Sequence, residues 1–163
     1  MKVYFAADHA GLELKNTLVE YVRGIGHEAE DCGAFAYDAA DDYPEFIASA
    51  ARKLSADVAK GAENRAILIG ASGQGEAMTA NRFKGVRCAL YYGPAQKAQT
   101  DNDGNILDII DSSRVHNSAN ALSLGARFLK EEEAKDAVKR WLVMPFSGEE
   151  RHARRIRQID ELA

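Results

Sequence analysis

The sequence has few cysteines, and their placement excludes several classes of small protein. Cys32 and Cys88 are the only two in a chain of 163 residues, and neither belongs to a C-x-x-C pair or to a cysteine–histidine cluster. A disulfide framework and a zinc finger both need more thiols at closer spacing. Unpaired thiols of this kind are typical of a reducing compartment, so the sequence predicts a cytoplasmic protein.

The sequence also lacks long hydrophobic runs and an excess of positive charge. The apolar run that follows Met1 and Lys2 extends over only about four residues, too short for a signal peptide or a membrane span. We therefore expect neither secretion nor membrane contact. The formal net charge of -4 argues against nucleic-acid binding, because that mode needs a basic face that neutralises several phosphates.

The pattern of apolar residues predicts an α/β fold. Short runs rich in β-branched and aromatic residues alternate with longer segments of helical period, which is typical of a parallel sheet with crossover helices. Because 46% of its residues are apolar, the chain can bury an ordinary core, and we expect a single domain over residues 1–163. The third of five predicted strands looks buried on both faces. The strands are predicted at residues 3–6, 27–32, 66–69, 86–91 and 119–124.

Two segments in the second half of the chain need separate interpretation. Residues 99–113 contain a strong turn signal, DNDGN at 101–105, and are predicted to form an inserted loop or hairpin. Residues 147–161 are predicted to form a last, arginine-bearing helix. Ser147 and Glu150 have the spacing of a capping box at its start.

The first candidate site follows the first predicted strand. Ligands of open parallel sheets bind at the carboxyl ends of the strands, and this strand is followed by Asp8, His9, Ala10 and Gly11. The alternative is that Asp8 only caps the next helix, because an aspartate there accepts backbone N–H bonds. His9 by itself is weak evidence for a site.

A glycine-rich turn follows the third predicted strand and leads into a helix. Its sequence, GASGQGE at residues 70–76, fails the dinucleotide fingerprint, and a glutamate replaces the lysine of the nucleotide phosphate loop. Glu76 beside a bank of N–H donors suits proton abstraction next to a carbonyl, with the amides holding the oxyanion. The alternative is that Glu76 merely complements the helix dipole.

The remaining candidates are His116, Asn117 and two arginines of the last predicted helix. A histidine transfers protons near neutral pH, and an asparagine orients hydroxyl groups. Arg151 and Arg155 are spaced i, i+4 on one helix face and suit a phosphate dianion. A solvated basic face paired with neighbouring glutamates is the alternative.

Together these motifs resemble the ribose-5-phosphate isomerase B family, which also contains the galactose-6-phosphate isomerase subunits. The match covers nearly the whole chain in the right order. The matching segments are DHAG at 8–11, DYP at 42–44, the loop at 70–81, GVRCA at 85–89, HN at 116–117, GAR at 125–127, and Arg151–His152 with Arg155.

The resemblance implies a Rossmann-like, doubly wound sheet of five parallel strands with helices on both faces. It also implies a homodimer, alone or paired into a tetramer, whose active sites lie between subunits. His116, Asn117 and Arg127 would then enter each site from the neighbouring copy. The substrate class implied is a sugar phosphate, with no cofactor and no metal ion.

The roles of the site residues are likewise implied by the resemblance. Glu76 would move a proton between C1 and C2 while backbone amides stabilise a cis-enediolate, and His116 would open the furanose ring. Those amides belong to Ser72, Gly73, Gln74 and Gly75, with Ser72 also assisting the reaction. Asp8 and Tyr43 would orient hydroxyl groups. The phosphate would be held by His9, Arg127, Arg151 and Arg155.

The choice of base depends on one position. One branch of the family uses a cysteine at the end of the third strand, where this sequence has Gly70. The other branch uses a glutamate at the position of Glu76, so we expect the glutamate variant. Cys88 lies within a predicted strand and is interpreted as a core residue. Ala71 stands where the family usually has glycine, which matters only if that residue needs positive φ.

The expected reaction is the isomerisation of ribose 5-phosphate to ribulose 5-phosphate. Residues 99–113 are roughly a dozen residues longer than the family pattern and run directly into His116, so this addition could change the substrate. A six-carbon substrate of the allose or galactose 6-phosphate type is the enzymatic alternative. A non-catalytic sugar-phosphate-binding module is the other, although retention of Glu76 together with His116 argues against it.

Overall fold

A computed structural model of the chain describes residues 1–97, 99–101 and 104–162, and it confirms the predicted α/β class. Five strands form one parallel sheet in the order β2-β1-β3-β5-β4. This order reverses direction next to β1, which is the doubly wound arrangement. The strands are β1 Lys2–Ala7, β2 Glu28–Asp31, β3 Arg65–Gly70, β4 Cys88–Tyr91 and β5 Ala121–Gly125.

Helices cover both faces of the sheet. One buried cluster joins the sheet to α1, α4 and α5, and a second joins the opposite face to α2 and α3. Among the residues described, no helix is both long and apolar enough to cross a membrane. The helices are α1 Leu12–Gly24, α2 Tyr43–Ala59, α3 Gln74–Ala80, α4 Ile109–Val115, α5 Glu131–Val143 and α6 Glu150–Asp160.

The central strand β3 shows why the sheet is covered on both sides. All six of its residues are buried. Successive side chains of a strand point to opposite faces, so Ile67 and Ile69 enter one cluster while Ala66 and Leu68 enter the other. Burial of each large aliphatic side chain stabilises the fold by about 1.5–3 kcal/mol relative to exposure.

Two strands begin later than predicted because a side chain takes the place of a strand pair. The Oδ1 atom of Asn120 accepts a hydrogen bond from the Arg87 N–H at 2.8 Å, and its Nδ2 donates to the Gly85 carbonyl at 2.8 Å. These bonds join the segments that precede β4 and β5. Regular pairing then starts at Cys88 and Ala121.

The prediction of a loop over 99–113 is wrong in its second half. Thr100 and Ile106 form an isolated antiparallel bridge, as a hairpin requires, but a helix, α4, begins at Ile109. Asp108 caps it by accepting a hydrogen bond from the Ile110 N–H at 3.0 Å. Positions 102 and 103 of the predicted turn lie outside the described residues.

The predicted capping box at the start of the last helix does not form. The helix begins at Glu150, after Glu149, and Glu149 makes no side-chain capping bond. The Ser147 hydroxyl instead accepts a hydrogen bond from the Glu149 N–H at 3.3 Å and lies 3.0 Å from His152 Nδ1. Ser147 thus connects the preceding segment to the buried histidine of α6.

Candidate active site

The carboxyl ends of β1, β3 and β5 meet at one edge of the sheet, because these three strands are neighbours. Backbone bonds hold two of the following loops together. The Ala126 N–H donates to the Gly70 carbonyl at 2.8 Å, and the Arg127 N–H donates to the Ala71 carbonyl at 3.1 Å. A Cβ at Gly11 would lie 2.5 Å from the Ile69 carbonyl oxygen, so glycine permits close approach of the first loop to β3.

Glu76 lies inside this edge of the sheet and not in solvent. It belongs to the first turn of α3 and is only 4% exposed. Its carboxylate packs directly against Gly70, since a Cβ at that glycine would contact both carboxylate oxygens. Burial raises the pKa of Glu76 above its ordinary value, Asp8 adds to that rise, and a bond from its own backbone N–H opposes it. The arrangement is that of a carboxylate base of increased strength.

The loop before Glu76 presents backbone N–H groups. Gly73 adopts φ of 73°, in the left-handed region that favours glycine, and precedes α3. The Ser123 hydroxyl fixes this turn by donating to the Gly73 carbonyl at 2.7 Å. Within the part of the chain that the structure describes, the N–H groups of Gly73 and Gly75 have no acceptor, whereas the Gln74 N–H donates to Ser72 Oγ at 3.3 Å. The free groups are suited to an oxyanion.

Tyr43 and Asp8 also reach this edge. A Cβ at Gly75 would lie 2.6 Å from the Tyr43 hydroxyl oxygen, so the phenol packs against the N-terminal turn of α3. Asp8 is 7% exposed, and its Oδ1 accepts a hydrogen bond from the Gly11 N–H at 2.9 Å. The alternative that Asp8 caps the next helix is wrong, because the N-cap of α1 is Gly11 and no side chain makes a capping bond there. The charge of Asp8 instead raises the pKa of Glu76.

His9 is oriented by an aspartate that sequence reasoning missed. His9 Nδ1 lies 2.6 Å from Asp41 Oδ1, and this hydrogen bond raises the pKa of His9. The Tyr37 ring packs edge-on against the imidazole at 5.9 Å. Asp41 directly precedes the DYP motif, but nothing in the sequence links it to a histidine 32 positions earlier. The Nε2 atom of His9 is then available to an anion.

The same acidic surroundings include atoms that could approach a metal ion. Ligand atoms of Asp8, His9 and Asp41 all lie within 4.8 Å of one another. The short bond between His9 and Asp41 already accounts for most of this proximity. The expectation of a metal-free site stays a prediction.

Arg127 belongs to this group through its own chain. It follows the carboxyl end of β5, and its charge lowers the pKa of His9 in opposition to the dominant effect of Asp41. The expectation that Arg127 enters from a neighbouring copy is therefore not supported, because the strand that carries it already ends beside the site. Its side chain is exposed and free to meet a phosphate.

A second cluster contains His116 and the arginines of α6. The His116 ring, at the end of α4, lies 4.4 Å from the His152 ring. A cavity of about 320 Å³ is lined by His116, Arg151 and Arg155, and by Gln99, Thr100, Asp101 and Leu107 of the inserted segment. Arg151 is ion-paired to Glu149 at 2.8 Å. The insertion thus forms a wall beside the predicted phosphate-binding arginines.

The two clusters lie apart within one chain. His116 and the exposed Asn117 precede β5, whereas Arg127 follows it, and five strand residues span about 16 Å. Among the described residues, no hydrogen bond, ion pair or ring contact joins the cluster at Glu76 to the cluster at His116. One chain therefore brings together Glu76, the amide loop and Arg127, but not His116.

Comparison with known proteins identifies the family. The family model described as Ribose/Galactose Isomerase matches residues 3–159. Ribose-5-phosphate isomerase B of Mycobacterium tuberculosis is 39% identical over 156 residues, covering 96% of this chain and 86% of the relative.

Solved structures agree with this match. Ribose-5-phosphate isomerase B from Mycoplasma genitalium with bound ribulose-5-phosphate has a TM-score of 0.83 at 32% identity, covering 99% of this chain and 95% of that one. The Thermotoga maritima ribose 5-phosphate isomerase has a TM-score of 0.80 at 34% identity, with 98% and 97% covered. The chain therefore belongs to the ribose/galactose isomerase family and is an isomerase.

Proposed function

We propose that this protein interconverts ribose 5-phosphate and ribulose 5-phosphate, with Glu76 as the base. The observation that carries the proposal is the burial of the Glu76 carboxylate beside unpaired N–H groups at the carboxyl edge of the sheet. The names of the relatives supply the substrate. Buried carboxylates with a perturbed pKa are concentrated at functional sites, and proton transfer at carbon is a function that would account for this one.

The reaction requires a proton to move between adjacent carbons. Glu76 removes the proton from C2 of the open-chain aldose, and negative charge develops on the carbonyl oxygen. The N–H groups of Gly73 and Gly75 stabilise that oxyanion in the cis-enediolate. Ser72 assists transfer of the hydroxyl proton from O2 to O1, and Glu76 then returns its proton to C1. A positioned base contributes about 10²- to 10⁴-fold to such a step.

Cys88 does not compete for this role. Burial raises the pKa of its thiol far above neutrality, and the charge of Glu76 raises it further. A thiol in this state is neither a base nor a nucleophile at neutral pH. Both cysteines are free, in keeping with the cytoplasmic location that we also propose.

The complete site is assigned to a homodimer. Each chain would supply its own Glu76, Asp8, His9, Tyr43 and Arg127 to one site. It would supply four residues to the partner's site: His116, Asn117, Arg151 and Arg155. The separation of the two clusters along β5 supports this assignment, because neither is sufficient for ring opening and proton transfer together.

Mixing of two inactive variants tests the shared site. Glu76→Gln and His116→Ala homodimers should each be inactive. In a random equimolar mixture half of the dimers are mixed and each has one intact site, so activity should recover to about one quarter of wild type. Subunits are exchanged by brief treatment with denaturant, and a mixture of Glu76→Gln with Glu76→Asn is the control. No recovery would contradict shared sites.

Solvent deuterium exchange tests the base. Wild-type enzyme should exchange the C2 hydrogen of ribose 5-phosphate with solvent, as followed by mass spectrometry. Glu76→Gln should abolish exchange and leave binding of ribitol 5-phosphate, which has no carbonyl group, within a few-fold of wild type. Arg155→Ala should instead weaken that binding. A pure binding module would show no exchange in the wild type, and an active Glu76→Gln would exclude the assigned base.

The inserted segment bears on which sugar is preferred. Gln99, Thr100 and Leu107 line the cavity that also contains His116 and Arg155, so they lie where a longer or shorter sugar would differ. We propose that this segment, within a single domain over 1–163, shapes the substrate pocket. Relative kcat/KM values for ribose 5-phosphate, allose 6-phosphate and galactose 6-phosphate, before and after replacement of 99–107 by a short linker, test this. Unchanged ratios would contradict it.

A further inference from the structure

A large cavity lies at the edge of the sheet opposite to Glu76. It has a volume of about 840 Å³ and is lined by residues near the amino ends of β3, β4 and β5 and the end of α5. Its polar lining includes His27, Arg65, Arg87 and Arg114. None of these residues has a role in the proposed isomerase reaction. The volume is in the range of small-molecule sites.

Two of the arginines are buried without a carboxylate partner. Arg65 is 9% exposed and Arg114 is 8% exposed. Within the described ranges, neither has an acidic oxygen within 4.0 Å, although most buried arginines are paired. Arg87 differs, because it is ion-paired to Asp160 at 3.0 Å.

The two arginines use only part of their hydrogen-bonding capacity. Arg65 Nη1 donates to the Trp141 and Leu142 carbonyls at 2.6 and 2.7 Å, and Arg114 donates through Nε and Nη1 to Met144 and Ala119. Both guanidiniums also contact the Trp141 ring, at 5.2 and 5.8 Å. Among described atoms, Arg65 Nε and Nη2 and Arg114 Nη2 have no acceptor, and each keeps some accessible surface.

The net charge around the guanidinium groups of Arg65 and Arg114 is positive. Burial lowers the pKa of Arg65 to about 10, with Arg114 adding to the effect, and burial with Arg87 lowers the pKa of Arg114. Glu63 is the acid that opposes both shifts. The carbonyl end of α5 supplies roughly half a negative charge. Two guanidinium charges therefore exceed Glu63 and the helix end together, and the difference has the sign that attracts an anion.

His27 also lines the cavity, but its Nδ1 is enclosed by protein and is not one of the accessible donors. This atom has no partner among the described residues. Burial lowers the pKa of His27, and the positive charge of Arg65 contributes. The walls also include apolar groups of Val58, Leu142 and Phe146, against which the carbon part of a ligand would pack.

We propose that this cavity is a second anion site, which binds a small phosphate-bearing molecule through the free donors of Arg65 and Arg114. Guanidinium groups match phosphate oxygens in geometry and charge. The site is independent of the isomerase site, because the two lie at opposite ends of β3. The bound anion would take the place of the carboxylate partner that neither arginine has among the described residues.

The test uses inorganic pyrophosphate as the probe and occupies the isomerase site first. Wild-type protein saturated with ribitol 5-phosphate is titrated with pyrophosphate in a calorimeter. We expect binding with one pyrophosphate per chain. If ribitol 5-phosphate abolishes pyrophosphate binding, the anion uses the isomerase site and the proposal is overturned.

Ala62 offers a matched pair of variants. It lines the cavity and is exposed, so substitution there disturbs neither buried arginine. Ala62→Glu places a competing carboxylate at the opening and should weaken pyrophosphate binding by at least about tenfold, whereas Ala62→Gln, of similar size, should bind as the wild type does. Both should keep wild-type kcat for isomerisation. Equal affinities of the two variants would overturn the proposal.

Discussion

Gly70→Ala should reduce catalysis in this protein while leaving the fold intact. A methyl group at Gly70 would lie 2.6 Å from Glu76 Oε2 and closer still to the rest of the carboxyl group. Unstrained contacts between such atoms are about 3.5 Å, so the carboxylate has to move by about 1 Å or more. The φ of Gly70 lies outside the left-handed region, and alanine therefore fits the backbone.

The size of the effect follows from this displacement. Misplacement of a reacting group by about 1 Å can reduce the rate about 10²-fold. We expect kcat for ribose 5-phosphate to fall by about that factor, while the affinity for ribitol 5-phosphate changes only a few-fold, because the residues proposed to bind the phosphate are untouched. Isomerisation is followed by the absorbance of the ketose product, and binding by calorimetry.

Gly24→Ala is the matched control. A Cβ at Gly24 would meet no atom within 4 Å, so the same chemical change is made without contact. Its kcat should equal that of the wild type. If Gly70→Ala kept at least half of the wild-type kcat while its thermal unfolding remained cooperative, the carboxylate of Glu76 would not be the reacting group.

Two further predictions concern pH. Asp8→Asn removes a charge that raises the pKa of Glu76, so the acid limb of kcat/KM should move to lower pH; a limb that stays in place or moves upward would exclude the coupling. Asp41→Asn replaces the charged acceptor that raises the pKa of His9 by a neutral amide, so His9 should lose its proton at lower pH than in the wild type. The affinity for ribitol 5-phosphate should then fall several-fold at about pH 7.5. It should stay unchanged at about pH 5.5, where His9 is protonated in both the wild type and the variant. Equal loss at both pH values would indicate a structural effect.

The fold and the grouping of half of the candidate site residues could be predicted because their signals are local. The buried strand β3 is a continuous apolar run, and the glycine turn with Glu76 follows it directly. The start of α4 also has a local signal, the capping residue Asp108 before Ile109 and Ile110, but the stronger turn signal at 101–105 favours a loop over the same segment.

Other features depend on pairings that the sequence does not encode locally. Asp41 meets His9 across two loops, and Asn120 replaces a strand pair beside Arg87. The members of each pair are distant in sequence and meet only in the tertiary structure, so no spacing rule connects them. The opposition of Glu76 and His116 at the two ends of β5 has the same origin.

The contact between Glu76 and Gly70 also limits how the family can vary at this strand end. The space above residue 70 holds either a side chain of that residue or the carboxylate from α3, but not both at once. A reactive cysteine at residue 70 and the carboxylate of a glutamate at residue 76 would therefore occupy the same volume and exclude each other. Exchange between the two chemistries therefore requires paired substitutions, because a side chain added at residue 70 alone would crowd the Glu76 carboxylate and a change at Glu76 alone would remove the base.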